Sequence, residues 1–238
     1  MTMEASGHEP SQESAASRAV AKRMRQVLGQ FVFLIVIMAT TSGRITWTWM
    51  WVYVGAGVVI LAVNASVLPR ELIAERGQPG ENVKSWDRRL TSLAIIPSLA
   101  IPVVAGLQER FGWLPEVSQS VHLCGLGLMV MGQLLFTWAM VSNKYFSTAV
   151  RIQMDRGHTV AAGGPYRYVR HPGYVGHIVS SAGTALLLGS PWALVPVAVL
   201  AVLLVMRTAR EDRTLLEELE GYHEYAQEVR YRLVPAIW

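Results

Sequence analysis

Residues 163–174 read GGPYRYVRHPGY, and here the chain gathers side chains able to do chemistry. Arg167, Arg170 and His171 bring positive charge, while Tyr166, Tyr168 and Tyr174 bring aromatic faces tipped with hydroxyls. Pro165 and Pro172 stiffen the backbone between them. Cations and aromatic rings on a stiff loop suit a grip on a flat, charged small molecule. A basic turn that snorkels to lipid headgroups would show the same residue types. The elements on either side decide between the two.

Those elements are apolar. Of the 238 residues, 52% are hydrophobic and 16% charged, where a soluble domain carries roughly a quarter charged residues. The apolar residues lie in blocks at 27–41, 47–68, 90–107, 121–141, 173–188 and 191–206, nearly free of charge. Several approach the ~20 residues that a helix needs to cross ~30 Å of hydrocarbon. The expected fold is an all-α integral membrane protein with six transmembrane helices, the last two forming a hairpin. Charge placement supports that count. Of the 21 Lys and Arg residues, all but Arg44 and Arg110 fall in segments that six passes place on one side. The positive-inside rule makes that side cytoplasmic and puts both termini there. Fusing 173–206 into a single span would send the basic C-terminal tail across the bilayer. The net charge of +4 then reflects a basic membrane face and requires no nucleic-acid partner.

The chain divides into a basic, disordered N-terminal segment (1–26), four transmembrane helices (27–142) and a C-terminal region (143–238) holding the polar chemistry. Residues 1–17 are rich in Ser, Glu, Gly and Ala, a composition that disfavours order. No cleavage site follows the first pass, which reads as an uncleaved anchor. Lone Cys124 excludes an intramolecular disulfide and reads as packing within a pass. Gly55, Gly57, Gly125, Gly127 and Gly132 lie in apolar helices with no strand before them, which indicates close helix packing rather than a nucleotide loop. Pro97 and Pro102 should kink the third pass. Trp47, Trp49, Trp51 and Tyr53 should form an interfacial aromatic belt, and His122 should sit at a pass end. No pass carries the ionisable residues of a proton relay, and no His, Asp or Glu spacing suits a metal.

The chemistry therefore collects in two segments on the cytoplasmic side. One is the loop 143–174, and the other starts at Met206 and runs through Arg207, Arg210, Glu211, Asp212 and Arg213 into a last helix. Leu215, Leu219, Tyr222, Ala226 and Val229 mark an apolar stripe on that helix, which should lie against the membrane or fold over the loop. A hairpin turning at Gly189-Ser190-Pro191 has both ends on one face, so it brings His171 and Tyr174 close to Arg207 and Glu211.

In order along the chain stand Arg151-Ile-Gln153, Gly157-His158, GPYR-x-x-RHP-x-Y, Arg207-x-x-x-Glu211, Gly221-Tyr-x-x-Tyr225 and Arg232-Leu-Val-Pro235. Over residues 143–238 this pattern resembles the isoprenylcysteine carboxyl methyltransferase family. The resemblance implies a membrane enzyme that uses S-adenosylmethionine without a Rossmann domain. Position by position, it implies cofactor contacts from Gln153, His158, Thr159, Val160, Ala161, Tyr166, His171, Pro172, Gly173, Tyr174 and Glu211, with Arg207 orienting the acceptor. Two departures stand out. The spacing from Gln153 to His158 is shorter than the family's, and Gly173 stands where the family carries Ser.

The side chains suit that ligand on chemical grounds. His171 and the backbone amides after Gly163-Gly164 could hold its carboxylate, and Glu211 could accept from its amino group or ribose. Tyr166 and Tyr174 could stack on adenine or face the sulfonium. Methyl transfer to an acceptor that is already a carboxylate requires alignment rather than a base, and Arg207 could hold such a carboxylate bidentately. A thiol or amine acceptor would need a base, for which His158 or Tyr174 stand nearby. The expected partners are the bilayer and a lipophilic or prenylated acceptor that slides in between passes. Two alternatives stay open: an NADPH-dependent reductase of the sterol-reductase type, gripping a 2′-phosphate with Arg151, Arg156, Arg167 and Arg170, or a non-catalytic membrane protein.

Overall fold

The computed structural model describes residues 12–77 and 83–238. Its helices are α1 (Gln12–Ser42), α2 (Thr48–Val67), α3 (Arg70–Gly77), α4 (Ser85–Phe111), α5 (Gln119–Ser142), α6 (Pro172–Leu187), α7 (Leu194–Glu218) and α8 (Tyr222–Glu228), with short 3₁₀ turns in between. No strand occurs among the described residues. Five helical segments are long and apolar enough to cross a bilayer: Ser17–Ser42, Thr48–Val67, Ser85–Phe111, Gln119–Ser142 and Pro191–Glu218. The sixth expected pass forms α6, whose 16 residues rise about 24 Å at 1.5 Å per residue. It is shorter than the ~30 Å hydrocarbon core. The hairpin itself is present: Gly189 (φ 74°) turns the chain, and the Ser190 hydroxyl accepts from the Ala193 N–H at 3.3 Å before α7 begins.

Several expectations change. Helix α1 already starts at Gln12, so residues 12–26 are helical rather than disordered, and residues 1–11 lie outside the described part. The single amphipathic last helix is two. Gly221 (φ 78°) adopts a left-handed conformation that glycine takes without strain, and it breaks α7 from α8. The aromatic belt is also reduced. Trp51 points outward, while Trp47 is buried and Trp49 and Tyr53 pack on the core formed with Met38, Met50, Ile101 and Leu200. Cys124 faces outward instead of packing within the protein. Pro97 and Pro102, where a kink is expected, both lie inside α4.

Helices α5 and α6 approach backbone to backbone. A Cβ at Gly132 would collide with the Ser180 backbone, one at Gly125 with Leu187, and one at Gly183 with Met129. Gly57 meets the Phe31 ring, whereas Gly55 and Gly127 have open space where a Cβ would point. Between bilayer helices, where lipid tails compete equally for apolar contact, such small-residue interfaces supply van der Waals contact that larger residues cannot. His122, at the start of α5, stacks on Trp49 with centroids 4.1 Å apart and bonds the Leu187 carbonyl through Nδ1 at 2.8 Å. This tie joins α5 to the far end of α6. Outward-facing Val32, Val36, Val59, Ile96, Leu134 and Val202 leave an apolar surface that suits lipid rather than water. The chain is a multi-pass helical membrane protein.

Candidate active site

The loop 143–171, the basic end of α7, helix α8 and the C-terminal tail form one layer at the end of the bundle where α4 starts. Its centre is Asp212, which is fully buried. Arg170 grips it with two bonds, Nε at 2.8 Å and Nη2 at 2.9 Å. The Tyr222 hydroxyl donates at 2.9 Å, Arg232 Nε donates at 2.7 Å, and His171 Nε2 lies at 3.3 Å. Burying a carboxylate is costly unless its lone pairs are met, and here charged donors on both oxygens meet that demand. The tail closes over the loop: the Arg170 and His171 amides donate to the Tyr231 and Arg232 carbonyls, each at 2.9 Å. Tyr225 donates to the Tyr166 carbonyl at 2.7 Å. Leu215, Leu219, Tyr222, Ala226 and Val229, the stripe seen in the sequence, pack with Tyr166, Val160 and Ala161. The stripe folds back over the loop.

Beside this layer lies a cavity of 540 Å³, within the range of about 300–1,000 Å³ usual for small-molecule sites. Of the residues expected to hold a cofactor, Gln153, His158, Val160, Ala161, Tyr166, His171, Gly173, Tyr174 and Glu211 line it, and so does Arg207. Thr159 and Pro172 do not. Thr159 is exposed, and Pro172 is buried at the first turn of α6. The hairpin expectation holds at Tyr174, whose hydroxyl donates to Glu211 Oε2 at 2.5 Å while its ring lies 5.4 Å from the Arg207 guanidinium carbon.

Other expected donors are already committed. Gln153 is buried, donating from Nε2 to the Tyr145 carbonyl at 2.6 Å and accepting from Arg156 at 2.7 Å. The Tyr166, Tyr168 and Val169 amides close turns onto Gly163 and Pro165. His158 accepts the Gln153 N–H at 3.2 Å. Burial and the cations of Arg151 and Arg156 hold its pKa down at about 4, so it is a weak base at neutral pH. Burial pushes the Tyr166 hydroxyl well above its ordinary value.

Asp87 is a residue that sequence reasoning passed over. It lies in the first turn of α4, almost fully buried. It accepts from Arg207 Nε at 2.6 Å and Nη2 at 3.3 Å and from the Val150 amide at 2.8 Å. Arg207 also donates to the Thr148 carbonyl at 3.0 Å. Two of its three nitrogens are thus bound, which leaves Nη1 rather than a bidentate fork for an incoming ligand. The only sequence signal for Asp87 was an acidic residue inside a basic helix start, and 120 residues separate it from Arg207.

The four arginines that might have gripped a 2′-phosphate do not converge. Arg170 binds Asp212, Arg151 binds Glu75 and Asp155, Arg156 binds Gln153 and the Lys144 carbonyl, and Arg167 is exposed. Among the described residues, no three His, Cys, Asp or Glu side chains are placed to hold a metal ion.

Comparison with known proteins agrees with the motif reading. Residues 125–217 match the model of the isoprenylcysteine carboxyl methyltransferase family. The match begins within α5, earlier than the motifs suggested, and stops before Gly221-Tyr-x-x-Tyr225 and the Arg232 segment. The chain is 29% identical over 120 residues to a probable protein-S-isoprenylcysteine O-methyltransferase of Oryza sativa subsp. indica, covering 48% of this chain and 63% of that protein. It is 28% identical over 148 residues to protein-S-isoprenylcysteine O-methyltransferase B of Arabidopsis thaliana, covering 59% and 75%. With the Mus musculus protein-S-isoprenylcysteine O-methyltransferase it shares 34% over 123 residues, 50% of this chain and 41% of that one. The matched stretch thus spans under two thirds of the rice and mouse proteins.

Proposed function

We propose that the chain is a membrane methyltransferase that moves a methyl group from S-adenosylmethionine to the carboxylate of a prenylcysteine-like acceptor. One observation carries the reading. The cavity joins a polar end, with Tyr166, His171, Tyr174 and Glu211, to an apolar arm lined by Leu90, Ala94, Ile95, Leu99, Leu200, Leu203 and Leu204 between α4 and α7. A polar cofactor and an apolar chain can therefore meet in one space. By the positive-inside rule the polar end faces the cytoplasm and the apolar arm enters the bilayer.

The residues present fit the cofactor chemically. Bound there, S-adenosylmethionine supplies an electrophilic methyl on a sulfonium. Glu211 offers Oε1 to an amino group or ribose, since Tyr174 already holds Oε2. The Tyr174 ring and the Glu211 charge favour a cation beside them. Among the described residues His171 Nδ1 has no hydrogen-bond partner, while Asp212 fixes the ring through Nε2. Gly173 lies against the Phe146 ring, where a larger side chain would collide.

Arg207 is the orienting residue. Asp87 and Thr148 hold its guanidinium in place, so Nη1 meets an acceptor oxygen already aligned. Fixed alignment of this kind supplies rate by removing the entropy cost of approach. An ionised carboxylate attacks without a base, and the low pKa of His158 speaks against acceptors that would need one.

Methyl-labelled S-adenosylmethionine, incubated with purified protein and N-acetyl-S-farnesylcysteine, tests the reading. Label should appear as a base-labile methyl ester. No label in the acceptor, or thermal stabilisation by NADPH but not by S-adenosylmethionine, would refute it.

A further inference from the structure

A second cavity of 480 Å³ lies on the other side of the bundle, between α1, α2, α5 and α6. Val27, Phe31, Leu34, Ile60 and Leu61 make its apolar wall. At one end it meets Arg23, Gln30 and Arg76, and the same three residues also line the catalytic cavity and a groove beside the outer face of α1. Two arginines therefore sit where three spaces join.

The arginines are unusual in their surroundings. Arg76 lies with its guanidinium carbon 5.5 Å from the Phe136 ring centre and 5.4 Å from that of Phe146. Its neighbour Glu75 turns the other way and binds Arg151 and Ser147. Among the described residues neither Arg23 nor Arg76 has an acidic partner. Burial and the nearby Arg23 cation push Arg76 down to about 10. Two neighbouring like charges, one of them over two aromatic rings and neither with an acidic partner among the described residues, form a site complementary to an anion.

The occupant is set by what adjoins the charges. An anion here adjoins a mainly apolar cavity, walled on one side by α1, most of whose spanning residues are not buried. The acceptor's chain already has its own arm between α4 and α7, so the second apolar cavity fits a second chain. We propose that Arg23 and Arg76 bind the phosphate of an anionic phospholipid whose acyl chain fills the cavity between α1, α2, α5 and α6. The site holds a bilayer lipid against α1 and fills the space beside the catalytic cavity. Assigning this cavity to a lipid rather than to the acceptor rests on the proposed use of the arm between α4 and α7.

The test is lipid retention. Full-length protein is reconstituted in nanodiscs of phosphatidylcholine containing phosphatidylglycerol, then stripped with detergent and weighed by native mass spectrometry. Wild type should retain one phosphatidylglycerol and no phosphatidylcholine. R23Q/R76Q, monodisperse by size exclusion, should retain it at least tenfold less. L61W fills the apolar wall without touching charge, so it should lose the lipid while still binding S-adenosylmethionine. Unchanged retention in both variants overturns the proposal, as does equal retention of phosphatidylcholine. Lipid retained in R23Q/R76Q while turnover of a carboxylated prenyl acceptor collapses would overturn it too, assigning the pair to the acceptor.

Discussion

Glu211 and Asp212 are adjacent in sequence and do opposite things. Asp212 points into the layer of loop and tail, with Arg170, His171, Tyr222 and Arg232 around it and no exposure. Glu211 points into the cavity, and among the described residues Tyr174 is its one side-chain hydrogen-bond partner. Saturated polar groups mark what holds the layer together, and partly satisfied ones mark where a ligand belongs. Asp87 lies between the two kinds, buried like Asp212 yet serving a cavity residue.

The comparison can be broken by mutation. Asp212→Ala leaves buried Arg170 and half-buried Arg232 without their carboxylate and should cost about 3–5 kcal/mol, seen as a lower melting temperature in detergent with or without cofactor. A variant as stable as wild type would mean that Asp212 is not structural. Asp87→Asn keeps an acceptor for Val150 but weakens the hold on Arg207. It should lower kcat by about 10²-fold, with the cofactor Kd from calorimetry unchanged; a weakened Kd instead would place Asp87 with the cofactor. Glu211→Gln should weaken cofactor binding about tenfold, or about 1.4 kcal/mol, without lowering the melting temperature of the free protein. His158→Gln should have the smallest effect. Folding lowers the His158 pKa from 6.5 to about 4, so between those values the unfolded chain takes up a proton that the folded one refuses. Stability falls as pH drops through that window, and His158→Gln should flatten that part of the melting-temperature profile.

Much of the site was legible beforehand because its residues are close in sequence or follow a helix period. The 163–174 motif, the hairpin at Gly189–Pro191 and the Leu215–Val229 stripe each rest on local spacing, and each places its residues as local rules require. Gly221 was visible only as a motif residue, and its positive φ showed that the stripe spans two helices. The partition of donors was not legible. Nothing in GPYR-x-x-RHP-x-Y says that Arg170 serves the scaffold while Tyr174 faces the cavity.

By itself the sequence determined the long apolar helices, the clustering of basic residues and the likeness to one family, since hydropathy, charge placement and motif order are properties of the chain. Only the tertiary structure decided which carboxylate meets which cation. Asp87 and Arg207 lie 120 residues apart and Arg170 and Asp212 lie 42 apart. Their pairing depends on how α4, α7 and the loop are brought together in space. Burial then makes each pairing compulsory, because a charge removed from water must find its partner within hydrogen-bond reach.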